Sequence, residues 1–146
     1  MSETVDKATL LEGLNEDLAH EYQAIIMYNT YAAAVSGIHR KELQGFFQEE
    51  VADELEHAKF LADKITALGG TPVTRPAEVT YTTDPREMLE NVVEAESETV
   101  TRYVKRMKQA EAYGDYGLAS MLDTMVADET RHKEESEKIL RGQWGS

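Results

Sequence analysis

The sequence predicts an all-α fold, a four-helix bundle built from two antiparallel hairpins joined by a long crossover, and three observations lead there. All three prolines, Pro72, Pro76 and Pro85, fall with the Gly69-Gly70 pair between residues 69 and 85. The flanking segments are rich in Ala, Glu, Leu, Lys and Met, residues that favour helices. Each flanking segment is interrupted once, by Ser36-Gly37 and by Gly114-Asp115, and each interruption reads as a stop glycine followed by a new start. With 146 residues and no cysteine, the chain (1–146) reads as one domain, large enough to bury roughly 68–70% of its unfolded surface without disulfides.

The expected helices cover about 6–35, 39–68, 85–112 and 115–140, with the crossover at 69–84. In steps of three and four, the first presents Leu14, Leu18, Glu21, Ile25, Tyr28, Ala32 and Val35. The second presents Leu43, Phe47, Val51, Glu54, His57, Leu61, Ile65 and Leu68. The third opens on Asp84-Pro85-Arg86-Glu87, where Asp84 can accept an N–H bond, Pro85 takes the first helical position and Glu87 reaches back. Its stripe is Leu89, Val93, Glu96, Val100, Tyr103, Met107 and Ala110, and the fourth helix follows with Leu118, Leu122, Met125, Glu129, His132, Ser136 and Ile139. At 1.5 Å per residue these helices are roughly 39–45 Å long. The crossover could reach about 55 Å when extended, enough to run end to end, whereas the two short connections force antiparallel neighbours. Val73, Val79 and Tyr81 either form a short extended strand or lie on the bundle.

Composition narrows the function. Asp plus Glu number 28 against 15 Lys plus Arg, a formal charge of −13, so nucleic acid and anionic membranes are repelled rather than bound. The apolar runs Ala24–Met27 and Tyr31–Val35 fall far short of the ~20 residues a membrane span requires, and the start Met1-Ser-Glu-Thr lacks the apolar core of a signal peptide. A cytoplasmic protein is expected. Without cysteine there is no thiol nucleophile and no Cys-ligated zinc or iron–sulfur site, but a metal cation is a compatible partner.

Every stripe carries an ionisable group where the core should be. A lone buried carboxylate costs several kcal/mol, so four need a common cause, and an internal repeat supplies it. Glu21, Tyr28, Asp53, Glu54 and His57 recur 75 positions later as Glu96, Tyr103, Asp128, Glu129 and His132. Both halves thus read E-x6-Y followed by D-E-x-x-H, with 33 positions between the two glutamates. Residues three apart share a helix face, so Glu54 with His57 and Glu129 with His132 each offer a carboxylate and an imidazole inward, facing Glu21 and Glu96. Four carboxylates and two neutral imidazoles suit two divalent cations, with charges that cancel and coordination positions left open. Iron is the first expectation, with manganese and zinc as other occupants. Asp53 and Asp128 are expected to accept the outer N–H of His132 and His57 respectively. Tyr28 and Tyr103 are expected either to bond a ligating carboxylate or to be ordinary core tyrosines. His20 and His39 are expected on the surface.

The pattern E-x6-Y, E-x-x-H, crossover, and the same again resembles the ferritin-like di-iron carboxylate proteins over nearly the whole chain, and most of all the bacterioferritins, including Leu61–Gly70 closing the second helix. The resemblance implies that Glu21, Glu54, His57, Glu96, Glu129 and His132 are the ferroxidase ligands, with Glu54 and Glu129 bridging. It implies oxidation of two Fe(II) by O2 or H2O2, feeding iron storage or detoxification in a homo-oligomer of at least two chains. Leu55 stands where bacterioferritin places its haem-ligating Met, so no haem is expected. The sequence runs only a few residues past Leu140, so the fifth helix of the bacterioferritin cage is not expected. Rubrerythrins carry an additional Glu where Thr99 stands, and a Cys-rich module; Dps-type cages place their ligands across a dimer interface. A di-metal peroxidase or oxidase without storage, and a redox-inactive metal-binding bundle, are the alternative readings.

Overall fold

In the computed structural model, residues 4–142 are described, and they form four helices: α1 (Lys7–Ala34), α2 (Arg40–Ala67), α3 (Pro85–Tyr113) and α4 (Tyr116–Arg141). The expectations placed on Met1-Ser-Glu and on the last four residues lie outside this range. Each start has a local cause. Asp6 accepts from Thr9 N at 2.7 Å, Asp84 from Arg86 N with Pro85 in the first turn, and Asp115 from Leu118 N at 3.0 Å. The return contact expected from Glu87 is made by another group: the Asp84 N–H donates to Thr82 Oγ1 at 3.2 Å, a hydroxyl only two residues upstream. Gly37 and Gly114 have φ of 98° and 102°, the left-handed geometry that reverses the chain after α1 and α3 and that a side chain would strain.

Antiparallel order between α1 and α3 is visible in a ladder of polar rungs. Asp17 meets Arg106, Glu21 meets Tyr103, Tyr28 meets Glu96 and Tyr31 meets Asn91, ascending on one helix and descending on the other. The crossover runs beside α1. Val73 N donates to Asn15 Oδ1, Ala77 N to Ala19 O, Gln23 to the Glu78 carbonyl and the Tyr31 hydroxyl to Thr80 O. No strand forms among the described residues; Val73 and Val79 lie against the core and Tyr81 is exposed.

The buried stripes follow the expected ones except that Ile25, Val51, Leu68 and Ile139 are only half-buried and the α3 stripe is rotated. On α3 the buried residues are Met88, Leu89, Val92, Glu96, Thr99, Tyr103, Arg106 and Ala110, so Val93, Val100 and Met107 are only half-buried. Arg106 turns inward because Asp17 of α1 awaits it, Nε to Oδ2 at 2.8 Å, and because Gly13 leaves room: a Cβ there would lie 1.8 Å from Arg106 Nη1. The apolar core is divided in two. One cluster holds Leu14, Leu18, Leu61, Ile65, Leu118 and Leu122, the other Tyr31, Val35, Leu43, Phe47, Leu89 and Val92. In every helix the charged stripe positions fall between the two.

Candidate metal centre

Between the apolar clusters, six side chains from four helices converge: Glu21 from α1, Glu54 and His57 from α2, Glu96 from α3, Glu129 and His132 from α4. All are buried. They form two overlapping groups whose donor atoms lie within 4.8 Å of one another: Glu21, Glu54, His57 and Glu129; and Glu54, Glu96, Glu129 and His132. Glu54 and Glu129 are common to both. The histidines turn Nδ1 inward, that of His57 lying 2.9 Å from Glu129 Oε1 and that of His132 3.2 Å from Glu54 Oε1.

The surrounding groups hold this arrangement. His57 Nε2 lies 3.1 Å from Asp128 Oδ2 and His132 Nε2 3.1 Å from Asp53 Oδ2, which ties α2 to α4 twice and fixes both rings. The Tyr28 hydroxyl donates to Glu96 Oε1 at 2.6 Å, and the Tyr103 hydroxyl donates to Glu21 Oε1. Each tyrosine therefore serves the glutamate of the other half of the repeat. Burial pushes both hydroxyls well above the usual tyrosine range, so they stay protonated and donate. His39 is exposed, and His20 is half-buried with Nδ1 2.9 Å from Glu16 O. Leu55, at the position expected to lack a haem ligand, is 43% exposed on α2.

Burial and close approach shift the protonation of the centre in opposite directions. Burial, with Glu21 and Glu129 adjacent, drives the Glu54 carboxyl well above the usual carboxylate range. Burial would also raise Glu129, but His132 and His57 hold it down. Burial would lower the histidines, yet the facing carboxylates push His57 up to about 11 and His132 up to about 10. The fit to metal is visible in the buried donor atoms: apart from the imidazole–carboxylate contacts above, Glu21 Oε2, Glu54 Oε1, Glu96 Oε2, both Glu129 oxygens and Nδ1 of both histidines have no hydrogen-bond partner. Buried polar atoms are normally paired, and here the unpaired ones face a common space as oxygen and nitrogen donors.

Three features of this region are not anticipated from the seam. Glu50, 7% exposed, brings Oε2 to 2.7 Å from His132 Nε2; its spacing of four from Glu54 marks it, but the apolar stripe passes through its neighbour Val51. Arg131 lies between Asp53 and Asp128, at 3.7 and 3.6 Å. It borders an open groove of about 520 Å³ between α2 and α4, whose lining includes His57, Phe60, Met121 and Met125. The buried Asp17–Arg106 pair is the third surprise. Arg106 reads as an ordinary surface arginine until Gly13 and Asp17 are placed opposite it.

The ferritin-like domain model matches residues 11–142, and the chain belongs to that family. A bacterioferritin from Mycobacterium leprae is 30% identical over 139 residues, covering 93% of this chain and 87% of the relative. Among solved structures, ferritin-like diiron-carboxylate proteins from Bacillus anthracis superpose with a TM-score of 0.91 at 51% identity, covering 94% of this chain and 99% of that one. A dodecameric thioferritin, the bacterioferritin-related protein from Bacteroides fragilis, gives a TM-score of 0.86 at 26% identity, covering 94% and 88% respectively.

Proposed function

We propose that the chain binds two Fe(II) ions in this centre and oxidises them with O2 or H2O2, in the service of iron storage or detoxification. The observation that carries the reading is the sharing of Glu54 and Glu129 between two buried four-residue groups, a donor set for two adjacent cations rather than one. In this reading Glu54 and Glu129 bridge, Glu21 and His57 complete one position, and Glu96 and His132 complete the other. Four carboxylates neutralise two divalent ions, and four protein donors per ion leave positions for an oxidant. Asp128 and Asp53 keep the imidazoles turned inward. Tyr103 and Tyr28 hold one oxygen of Glu21 and of Glu96 and leave the other free to ligate. Iron is the substrate; Mn2+ and Zn2+ fit the same donors. The bound ions supply the electrons, and the protein supplies position, charge and a dry surrounding. With Leu55 in place of a Met, no haem takes part.

The dodecameric relative supports a homo-oligomer, at least a dimer, and the reading keeps the cytoplasmic setting expected from the sequence. No described helix is long and apolar enough to cross a membrane. Mixing the metal-free protein aerobically with two Fe(II) per chain is the test. Oxidation faster than in buffer, lost in Glu54→Ala, is expected; iron that oxidises no faster than in buffer sinks the proposal. Comparing O2 with H2O2, each with and without a reductant, separates a storage-type oxidase from a peroxidase that turns over with an electron donor.

A further inference from the structure

We propose that Glu50 makes the two cation positions unequal, so that the position served by His132 fills before the one served by His57. The inference rests on the two-cation reading above. Among the carboxylates and imidazoles of the centre, Glu50 alone lacks a counterpart 75 positions away, for the matching position is Met125, which is buried in the apolar core. The outer nitrogen of His57 therefore faces one carboxylate, Asp128 at 3.1 Å. That of His132 faces two, Asp53 at 3.1 Å and Glu50 at 2.7 Å.

Glu50 is buried, and its Oε2 has no hydrogen-bond partner besides this contact with His132 Nε2, so its charge acts on the imidazole without competition. Arg131 does not create the difference, because it stands at nearly the same distance from Asp53 and from Asp128. Negative charge behind the outer N–H strengthens the inner nitrogen as a ligand, and an added carboxylate on one side draws a cation to that side. Both effects favour the His132 position.

Glu50, Asp53 and His132 also bring donor atoms within 4.8 Å of one another, which by itself suggests a third cation. His132 argues against it. Its Nδ1 faces the shared carboxylates, and a neutral imidazole that binds one cation through Nδ1 keeps a proton on Nε2. Glu50 and Asp53 are then the acceptors for that proton.

The test uses the full-length metal-free protein and Zn2+ alone, followed by calorimetry and by anomalous scattering from crystals grown with one equivalent per chain. Two binding steps separated by about 10- to 100-fold are expected, the usual size of an outer-partner effect, with the single Zn2+ beside His132. The isosteric Glu50→Gln keeps an acceptor but removes the charge; it should bring the steps within about threefold and split the single Zn2+ between both positions. Equal filling in the wild type overturns the inference, and so does an order that survives in Glu50→Gln. A third Zn2+ lost on substitution of Glu50 overturns it too, since Glu50 would then be a ligand. Two equal sites leave the two-cation reading standing, whereas no Zn2+ uptake removes that reading and this inference together. If Glu50→Gln fails to fold, the position of the first Zn2+ in the wild type decides.

Discussion

Replacing Arg106 with Met tests how the α1–α3 side of the centre is held. The guanidinium is 2% exposed and the Asp17 carboxylate 1%, and they meet through Nε at 2.8 Å and Nη2 at 3.4 Å. Methionine fills much of the space but leaves Asp17 with Arg102 Nε at 4.0 Å as its remaining cation. Breaking a buried pair by removing one partner costs about 3–5 kcal/mol. At about 2–4 °C per kcal/mol for a chain near this size, the melting temperature should fall by about 6–20 °C at neutral pH. The loss must depend on pH in a definite direction. Burial raises the Asp17 carboxyl to about 6 even with Arg106 present, against about 3.9 unfolded, so the folded state favours the protonated form. Stability from that preference is complete below the unfolded value and is lost as pH rises through the folded one. Without Arg106 the folded value rises further, so the cost should be small near pH 4 and grow above pH 6. The double variant Asp17→Leu with Arg106→Met should recover most of the stability, because no unpaired charge remains. Thermal melts from pH 4 to pH 8 decide. A cost below about 1 kcal/mol, one that does not vary with pH, or a double variant as unstable as the single would refute the reasoning.

Three further outcomes are expected. Loading with Zn2+ at pH 7 should release about two protons per chain from His57 and His132 alone, since ligating imidazoles must be neutral and both are held protonated up to about 11 and about 10; calorimetry in buffers of different ionisation enthalpy measures this, and release of fewer than one contradicts it. In the metal-free protein the same two groups contribute stability that is complete below about pH 6.5 and is lost as pH rises through their folded values, so denaturant midpoints should fall from neutral to alkaline pH unless Zn2+ is bound. Gly13→Ala should destabilise: the helix gains up to about 1 kcal/mol in propensity, but the new Cβ would sit 1.8 Å from Arg106 Nη1, and displacing that group costs about 1–3 kcal/mol. A Gly13→Ala variant more stable than the wild type in urea would show that the guanidinium relocates freely.

The helices and their ends were legible because Pro85, Gly37, Gly114, Asp84 and Asp115 act through neighbours within a few residues. The six converging side chains were legible for another reason: a repeat of polar residues inside apolar stripes shows which face each occupies, and Glu54 and His57 point where Leu61 points. What stayed hidden depends on the partner across the gap. Arg106 is buried because of Gly13 and Asp17 on another helix, and no spacing within α3 records that. The rotation of the α3 stripe from Val93, Val100 and Met107 to Val92, Thr99 and Arg106 has the same origin. Glu50 was hidden by the repeat itself, since reading the two halves for agreement passes over the position at which they differ.

The division of the core explains how a bundle tolerates so many buried charges. Apolar clusters on both sides of the centre hold the helices together, while the middle layer carries carboxylates and imidazoles whose burial opposes folding. Polar rungs spread that cost over two helix pairs: Asp17–Arg106, Glu21–Tyr103 and Tyr28–Glu96 between α1 and α3, and His57–Asp128 and His132–Asp53 between α2 and α4. Every candidate ligand except the shared Glu54 and Glu129 is thereby tied to a second helix by a bond that does not need a cation. Those two carry opposed shifts: burial beside other carboxylates drives Glu54 upward, whereas His132 and His57 hold Glu129 down. The unsatisfied member is Glu54, and on the two-cation reading metal binding would relieve its burial, with stabilisation that rises with the logarithm of free metal above its dissociation constant. The same logic sets what can be redesigned. Replacing Glu54 with Leu should raise the stability of the metal-free chain while abolishing metal uptake, whereas Glu129→Met, which takes from His57 and His132 a carboxylate they share, should lower it; a Glu54→Leu variant less stable than the metal-free wild type would mean that this position is shaped by packing rather than by charge.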